Sequence, residues 1–495
     1  MCGIAVASTA AARAEVARML SRLDHRGPDE RGRFDSGAVT LGHSRLAIVA
    51  PQWGSQPLVG ADGTVAVCNG EIYNHRSLRE VPGGESGSDA DVLLPLYREE
   101  GGGLARRLDG MYAFVILTPE GELVAGRDPL GIKPLYRAER EDGVAFASEL
   151  KALAGNGWDR VETVPAGHTW EGGLRRHYRV PEPNLERAFE EADVEEWCRR
   201  LRHALESAVV KRLMSDVPLG AFLSGGLDSS IVTALAARHA PGLDTFSLGF
   251  EGSADVDAAR LVAEHLGTNH HEVTVSEDEP LQVLPEVLYH LESWDRDLVR
   301  SALPTYLVAR FAARHLKVVL TGEGADELFA GYAYHAGYAH DPVRLQRELH
   351  RSVQAMHDNN LQRVDRMTMA HSLEARVPFL DPEVVEVAMD IPPGLKLRRD
   401  RHGNLVEKWI LRRAFSDLLP EEIVWRTKSQ FDEGSGAVDR LVDLADSALG
   451  GGIPREPEAR LRDVEEAWYF HQLRNSLGDW RTVRANTSVW AENRL

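Results

Sequence analysis

A cysteine stands second in the chain, in Met1-Cys2-Gly3-Ile4. Trimming of the initiator methionine would leave a thiol and a free α-amine on one residue. The thiol has an ordinary pKa of about 8.5 and the amine one of about 7.7–8.0, so the amine can take the thiol's proton. Three further stretches suit a nucleophile that attacks an amide. Arg45, in His43-Ser44-Arg45-Leu46, offers a planar fork for a substrate carboxylate. Asn69-Gly70-Glu71 joins a carboxamide to an unhindered backbone N–H, the equipment for holding an oxyanion. Asp89, in Ser86-Gly87-Ser88-Asp89, can pair with a substrate ammonium. Singly, each has an ordinary explanation: a buried cysteine, a surface ion pair, a type I′ turn at Asn69-Gly70, a helix N-cap at Asp89.

A second group of residues suits a polyanion. Leu223-Ser224-Gly225-Gly226-Leu227-Asp228-Ser229-Ser230 follows a short apolar run and opens a helix. Its glycines let the backbone approach phosphates, and successive N–H groups at a helix start supply partial positive charge. Ser224, Ser229 and Ser230 add hydroxyls, and Asp228 can hold Mg²⁺. The Walker pattern GxxxxGK[ST] is absent from the chain. Thr321-Gly322-Glu323-Gly324-Ala325-Asp326-Glu327 closes another strand, and Asp326 can complete a magnesium site opposite Asp228. Glu407-Lys408-Trp409-Ile410 and Trp425-Arg426-Thr427-Lys428 carry cations able to offset a triphosphate. A lysine in a helix is more often solvated surface.

The elements that must position these groups divide the chain in two. Up to about residue 180 the pattern is β-rich. The run Leu108–Leu117, a Thr118-Pro119-Glu120-Gly121 turn and a returning strand over Glu122–Arg127 make a hairpin. Further strands are expected at Val39–Leu41, Val65–Cys68 and Val144–Ala147, and helices at Ala10–Leu23 and Asp89–Glu100. The acidic, proline-containing stretch 181–195 marks the boundary. Beyond it, strands at Gly220–Leu223, Thr245–Phe250, His271–Val275 and Lys317–Thr321 alternate with helices, one of them Asp228–His239. That rhythm indicates a parallel sheet covered on both faces, followed from about residue 340 by a largely helical region.

The bulk numbers agree with two or three domains of roughly 100–200 residues each, since the chain has 495 residues, 43% of them hydrophobic. No stretch is long and apolar enough to span a bilayer, and no basic leader precedes an apolar run. A cytoplasmic location is expected, with no membrane partner. Three cysteines without CxxC spacing indicate neither a disulfide framework nor a zinc site. The net charge of −19 opposes nucleic acid as a partner.

The longer motifs carry a resemblance. Met1–Ile4, Arg26-Gly27-Pro28-Asp29, Asn69–His75, Arg127-Asp128-Pro129-Leu130-Gly131 and Phe146-Ala147-Ser148-Glu149 resemble the N-terminal-nucleophile glutaminase domain of class II amidotransferases. SGGLDSS, TGEGADELFAGY (321–332), VDRMTMAHSLEARVPFLD (364–381) and EKWILRRAF (407–415) resemble the synthetase domain of the asparagine synthetase family. The resemblance implies an αββα sandwich over residues 2–182 and a doubly wound parallel-sheet domain with added helices over 195–495. It implies a ligase that frees ammonia from glutamine, adenylates a carboxylate with ATP and releases pyrophosphate. On that mapping Cys2 is the nucleophile, and Arg45, Asn69, Gly70, Glu71 and Asp89 bind glutamine, with Asn69 and Gly70 as the oxyanion hole. Leu223, Leu248, Gly249, Thr321 and Gly322 line the nucleotide site and 224–230 grips pyrophosphate. Asp228 and Asp326 bind Mg²⁺, and Glu323 and Lys408 serve the acyl-adenylate chemistry. A homodimer is one assembly open to the family.

Family membership leaves the acceptor acid to be decided, because relatives amidate or cyclise other carboxylates. An intact Cys2 with its partners favours glutamine-dependent amidation, and Glu323 stands where some ring-closing relatives carry tyrosine. The segment Lys428-Ser429-Gln430-Phe431-Asp432-Glu433-Gly434-Ser435-Gly436 and the stretch Glu466-Ala467-Trp468-Tyr469-Phe470 also resemble asparagine-forming members. Where those members often read DVTTIRAS, this chain has Asp295-Arg296-Asp297-Leu298-Val299-Arg300-Ser301-Ala302. Aspartate is therefore the expected acceptor, and a different carboxylate is the alternative. Presence of Cys2, Asp228 and Asp326 opposes a catalytically dead sensor, and the charge opposes an RNA-modifying enzyme.

Overall fold

The computed structural model describes residues 1–79, 87–183, 185, 190–426, 437–450, 456 and 459–486. The first 176 residues build two antiparallel sheets face to face. The strands are β1 (Cys2–Ser8), β2 (Glu30–Ser36), β3 (Val39–Arg45), β4 (Leu58–Val59), β5 (Val65–Ile72) and β6 (Gly110–Leu117). They continue as β7 (Leu123–Arg127), β8 (Tyr136–Arg140), β9 (Gly143–Ala147), β10 (Arg160–Thr163), β11 (His168–Trp170) and β12 (Leu174–Arg176). One sheet runs β10-β8-β9-β1-β3-β2 and the other β12-β11-β7-β6-β5-β4.

Why these segments are apolar at every position follows from what covers them. In β1, Ile4 and Val6 point between the sheets while Ala5 and Ala7 face the outer helix Ala12–Ser21. In β6, Ala113, Val115 and Leu117 point between the sheets, and Tyr112, Phe114 and Ile116 pack towards the helix Leu93–Glu100. A strand covered on both faces needs a continuous apolar run, because successive side chains alternate between two dry environments. The architecture is the expected αββα sandwich.

The second region holds β13 (Leu219–Phe222), β14 (Asp244–Gly249), β15 (Asn269–Thr274), β16 (Val318–Leu320) and β17 (Glu374–Arg376). All pair parallel, in the order β15-β14-β13-β16-β17. Helices Val194–Lys211, Leu227–His239 and Ala254–Leu266 share one core with β13, and Arg296–Ala312 packs with Phe246 and Val319 on the other face. The chain leaves β13 towards β14 and β15, then returns to its other side with β16. Strand order thus reverses between β13 and β16, the point at which open α/β sheets bind ligands beyond their strand C-termini.

The two regions meet across buried charge. Arg26 pairs with Glu149 at 2.6 Å and with Asp365 of the second region at 2.8 Å. Glu292 accepts the backbone N–H groups of Leu150 and Lys151 at 3.1 and 2.6 Å, and pairs with Lys151 and Arg366 at 3.2 and 3.0 Å. Met1 lies with Leu46 and Ile48 against Val318 and Met369, and its ammonium sits 3.2 Å from Glu374. Replacement of Glu292 by alanine leaves the buried Lys151 and Arg366 with Glu149 as their one remaining common carboxylate, and leaves the Leu150 and Lys151 N–H groups without their acceptor. The expected cost is about 3–5 kcal/mol, read as a lowered urea midpoint; a midpoint equal to that of the parent would contradict this.

Candidate active sites

Cys2, Ile4 and Val6 alternate onto the inter-sheet face of β1, and register places Cys2 opposite Arg45 and Ile4 opposite His43. On the facing sheet Val65 and Val67 point inward, so Asn69 does as well. At one end, therefore, the apolar space between the sheets gives way to Cys2, His43, Arg45 and Asn69. The backbone N–H of Cys2 donates to Asn69 Oδ1 at 2.9 Å, and the other side-chain atom, Asn69 Nδ2, is buried without a partner. That amide is free to donate to an incoming oxygen. Gly70 has φ +140°, and a Cβ there would lie 1.9 Å from the Met111 carbonyl, so glycine is required in mid-strand. A turn at Asn69-Gly70 is ruled out, because both sit inside β5.

Burial pushes the Cys2 thiol up, but the His43 imidazole beside it and the chain's terminal ammonium outweigh burial and hold it at about 7. His43 was not singled out from the sequence. Its signal was there: it lies two residues before Arg45 on one strand and shares that residue's face. The Arg45 fork is already engaged, donating to the carbonyls of Ala50 and Pro51 at 2.9 and 3.0 Å and pairing with Glu30 at 3.3 Å. Asp89 is not the helix cap. Ser88 caps the short 3-10 helix Asp89–Val92, while Asp89 accepts the Ile72 N–H at 2.7 Å and the Ser88 hydroxyl at 3.0 Å. Glu71 is buried, with Arg376 of β17 3.8 Å away. Desolvation, then Asp89 and Glu374, raise its carboxyl well above the usual range.

The second centre lies at the reversal of strand order. Leu223 leaves β13 with its N–H on the Phe246 carbonyl at 2.8 Å. The loop folds on its own hydroxyls: Ser224 and Ser229 meet at 3.0 Å, and Ser230 donates to the Gly226 carbonyl at 2.7 Å. Leu227 then opens the helix Leu227–His239. From β16, Thr321 takes the Glu323 N–H on its hydroxyl at 3.0 Å. Gly322 abuts the loop, since a Cβ there would meet the Ser229 nitrogen at 2.7 Å. Leu248 and Gly249 end β14. Gly249 is closely covered, a Cβ falling 2.4 Å from a Val256 methyl.

Lys408 brings the two strand ends together. Its ammonium sits 2.5 Å from Asp228 and 2.6 Å from Asp326. It is buried at the start of the helix Trp409–Phe415, in a left-handed conformation (φ +53°), and is no solvated surface lysine. Burial alone would lower its pKa, yet the two carboxylates more than reverse that and raise it. Gly331 makes room, because a Cβ at that position would overlap Asp326 and Lys408. Among the described residues no group of three or more His, Cys, Asp or Glu is placed to hold a metal ion. Two carboxylates converging on one cation suit Mg²⁺, which takes a few protein oxygens and fills its shell with phosphate and water.

Glu323 is held by Arg363 and, at 3.0 Å, by the Asn360 amide, which also reaches Glu327 at 2.5 Å. Neither Asn360 nor Arg363 was picked out from the sequence. Both lie on the helix Asn360–Met369, where polar residues inside an amphipathic pattern announce nothing until a partner is known. Glu327 is buried among Glu323 and Asp326; burial first, then those charges, push its carboxyl up to about 8.

A profile of the asparagine synthase family matches residues 200–343 and 337–483, and one of the glutamine amidotransferase domain matches 1–165. Asparagine synthetase [glutamine-hydrolyzing] 2 of Arabidopsis thaliana is 42% identical over 96% of this chain and 87% of its own length. The chain belongs to the asparagine synthetase family. The asparagine synthetase of Triphysaria versicolor is 41% identical over 88% of this chain and 78% of its own length. A probable asparagine synthetase of Schizosaccharomyces pombe is 39% identical over 91% and 88%.

Within this family member, the segment that departs from DVTTIRAS opens the helix Arg296–Ala312, capped by Asp295 through the Leu298 N–H at 2.9 Å. Arg300 grips Glu465 at 3.0 and 2.5 Å, and Asp297 meets Arg462 at 3.3 Å. Glu466–Phe470 falls on the helix Val464–Leu477. The stretch 428–436 lies outside the described residues. No helix among the described residues is long and apolar enough to cross a membrane.

A thiol held at about 7 should alkylate with iodoacetamide at a rate that rises as pH passes through about 7. His43→Gln removes one of the groups that lower it, so the midpoint should move to higher pH. An unmoved midpoint would show that the imidazole does not tune the thiol.

Proposed function

We propose that this family member is a glutamine-dependent asparagine synthetase, with residues 2–182 freeing ammonia and residues 195–495 activating aspartate. The observation that carries the reading is the pairing of two equipped centres on one chain. One is a thiol held at about 7 beside an unpartnered amide; the other is a phosphate loop whose Asp228 shares a buried lysine with Asp326.

At the first centre the thiol attacks the carboxamide carbon of glutamine. With Met1 removed, the Cys2 nitrogen, held by Asn69 Oδ1, is the amine that takes the thiol's proton. Asn69 Nδ2 and the Gly70 N–H receive the oxyanion. Ammonia leaves and water hydrolyses the thioester. Glu71 and Asp89, whose carboxyls burial raises, ionise against the substrate's ammonium and then supply its opposite charge. Arg45 supplies the wall of the pocket by fixing the 49–51 loop, and its remaining N–H capacity faces the carboxylate.

At the second centre the 224–230 loop grips the β- and γ-phosphates. Leu223, Leu248, Gly249, Thr321 and Gly322 flank the nucleoside. Asp228 and Asp326 would hold Mg²⁺, which supplies charge neutralisation on the phosphates. Lys408, fixed as a cation, keeps those carboxylates in register and is placed to stabilise the leaving pyrophosphate. The aspartate side-chain carboxylate displaces pyrophosphate from ATP. Ammonia then attacks the acyl-adenylate and AMP departs, with Glu323, locked by Arg363 and Asn360, placed as the proton acceptor. A reaction that draws on ATP and free amino acids fits a cytoplasmic setting. The Asp297–Arg462 pair, where relatives carry threonine, favours a different carboxylate as the second reading.

The deciding assay follows pyrophosphate release from ATP with glutamine and each of several acids. Aspartate-dependent release with asparagine formed supports the first reading; release with another acid alone selects the second. Asn69→Ala should lower glutamine hydrolysis by about 10²–10³-fold while synthesis from added ammonia persists. Asp228→Asn should abolish pyrophosphate release and leave glutamine hydrolysis measurable. The reverse pattern in either variant would overturn the assignment of the two centres.

A further inference from the structure

The rim of the phosphate loop away from Lys408 is held by one guanidinium. Arg426 Nη1 donates to the Gly225 carbonyl at 3.3 Å, and Nη2 donates to Asp255 Oδ1 at 2.6 Å. Gly225 is the crest of the loop, at φ +71°. A Cβ there would meet the Ala259 nitrogen at 2.6 Å and the Asp255 carbonyl at 2.7 Å. The crest therefore lies directly on the first turns of the helix Ala254–Leu266, and Arg426 spans loop and helix from outside.

The position of Arg426 is itself set by the nucleotide centre. Arg412 Nη1 donates to the carbonyls of Val424 at 2.5 Å and Arg426 at 3.1 Å. Arg412 lies one helical turn after Lys408, so one short helix governs both sides of the loop. The Arg426–Asp255 pair is only partly shielded from water, each side chain keeping about a quarter of its exposure. Such pairs are screened and weak. A triphosphate beside the loop brings several negative charges and oxygens that accept charge-assisted hydrogen bonds from arginine, and should outcompete a single carboxylate.

We propose that Arg426 and Asp255 form a latch on the pyrophosphate loop: Asp255 holds the guanidinium when no nucleotide is present, and on ATP binding Arg426 keeps the Gly225 carbonyl and exchanges Asp255 for a phosphate oxygen. This rests on the reading of 224–230 as the ATP loop. The latch makes Asp255 a competitor of ATP and not a ligand for it, so its removal tightens binding.

The test uses the full chain, with the dissociation constant of ATP measured by calorimetry and KM for ATP from pyrophosphate release. Asp255→Asn should lower both by about two- to fivefold. Arg426→Gln should raise both by about tenfold or more, with Arg426→Lys between it and the parent. Glutamine hydrolysis should be unchanged in all three, which also reports that each variant is folded. Unchanged or weaker ATP binding by Asp255→Asn overturns the latch, as does Arg426→Gln that binds ATP as the parent does. If the parent itself binds no ATP, the reading of the loop fails instead, and the two failures are told apart.

Discussion

One buried guanidinium links everything else. Arg26 donates to the Cys2 carbonyl at 3.0 Å, and pairs with Glu149 in its own sandwich and Asp365 in the second region. Wholly removed from water, it is stable only because two carboxylates and a carbonyl saturate it. That same guanidinium fixes the backbone of Cys2 and the seam between the two regions.

Around that seam the charges are distributed by burial. Glu149, with Lys151, His25, Arg366 and Arg26 against it, is held well below the usual carboxylate range despite desolvation. Glu71, buried among Asp89 and Glu374, goes the opposite way. Two carboxylates within one dry region thus take opposite shifts, because one faces cations and the other faces anions. The same logic separates Lys408 from Lys396. Lys408 between two aspartates is held charged, whereas Lys396, buried and donating to the Gln346 side-chain Oε1 at 3.1 Å, is pushed down by burial to about 7.

The centre around Lys408 shows how a parallel sheet brings distant residues together at its strand ends. Strand order reverses between β13 and β16, and the loops leaving their C-terminal ends meet there. Glycines 225, 322 and 331 each stand where a Cβ would strike a neighbour: Gly225 lies against the helix Ala254–Leu266, Gly322 against the loop at Asp228 and Ser229, and Gly331 against Asp326 and Lys408. The helix that begins at Lys408 reaches the outer rim of the loop through Arg412 and Arg426.

Much of this was legible in the chain. A β-rich first region and a parallel sheet follow from apolar runs bounded by turns, the αββα arrangement from the family resemblance, and the two centres from motifs whose chemistry depends on neighbours a few residues apart: Cys2 at the start, Asn69-Gly70 after an apolar run, the 223–230 loop at a helix start. Such features are local, so residue order determines them. What residue order could not settle was any property that depends on a partner far along the chain. His43 matters because β1 and β3 pair in one register, Asp89 gives up its capping role to reach Ile72, and Lys408 is buried because Asp228 and Asp326 arrive from helix starts 180 and 82 residues away. Arg363 and Asn360 became site residues only when their helix was laid beside Glu323. Desolvation and charge pairing act through space, and only the tertiary structure decides which groups share it.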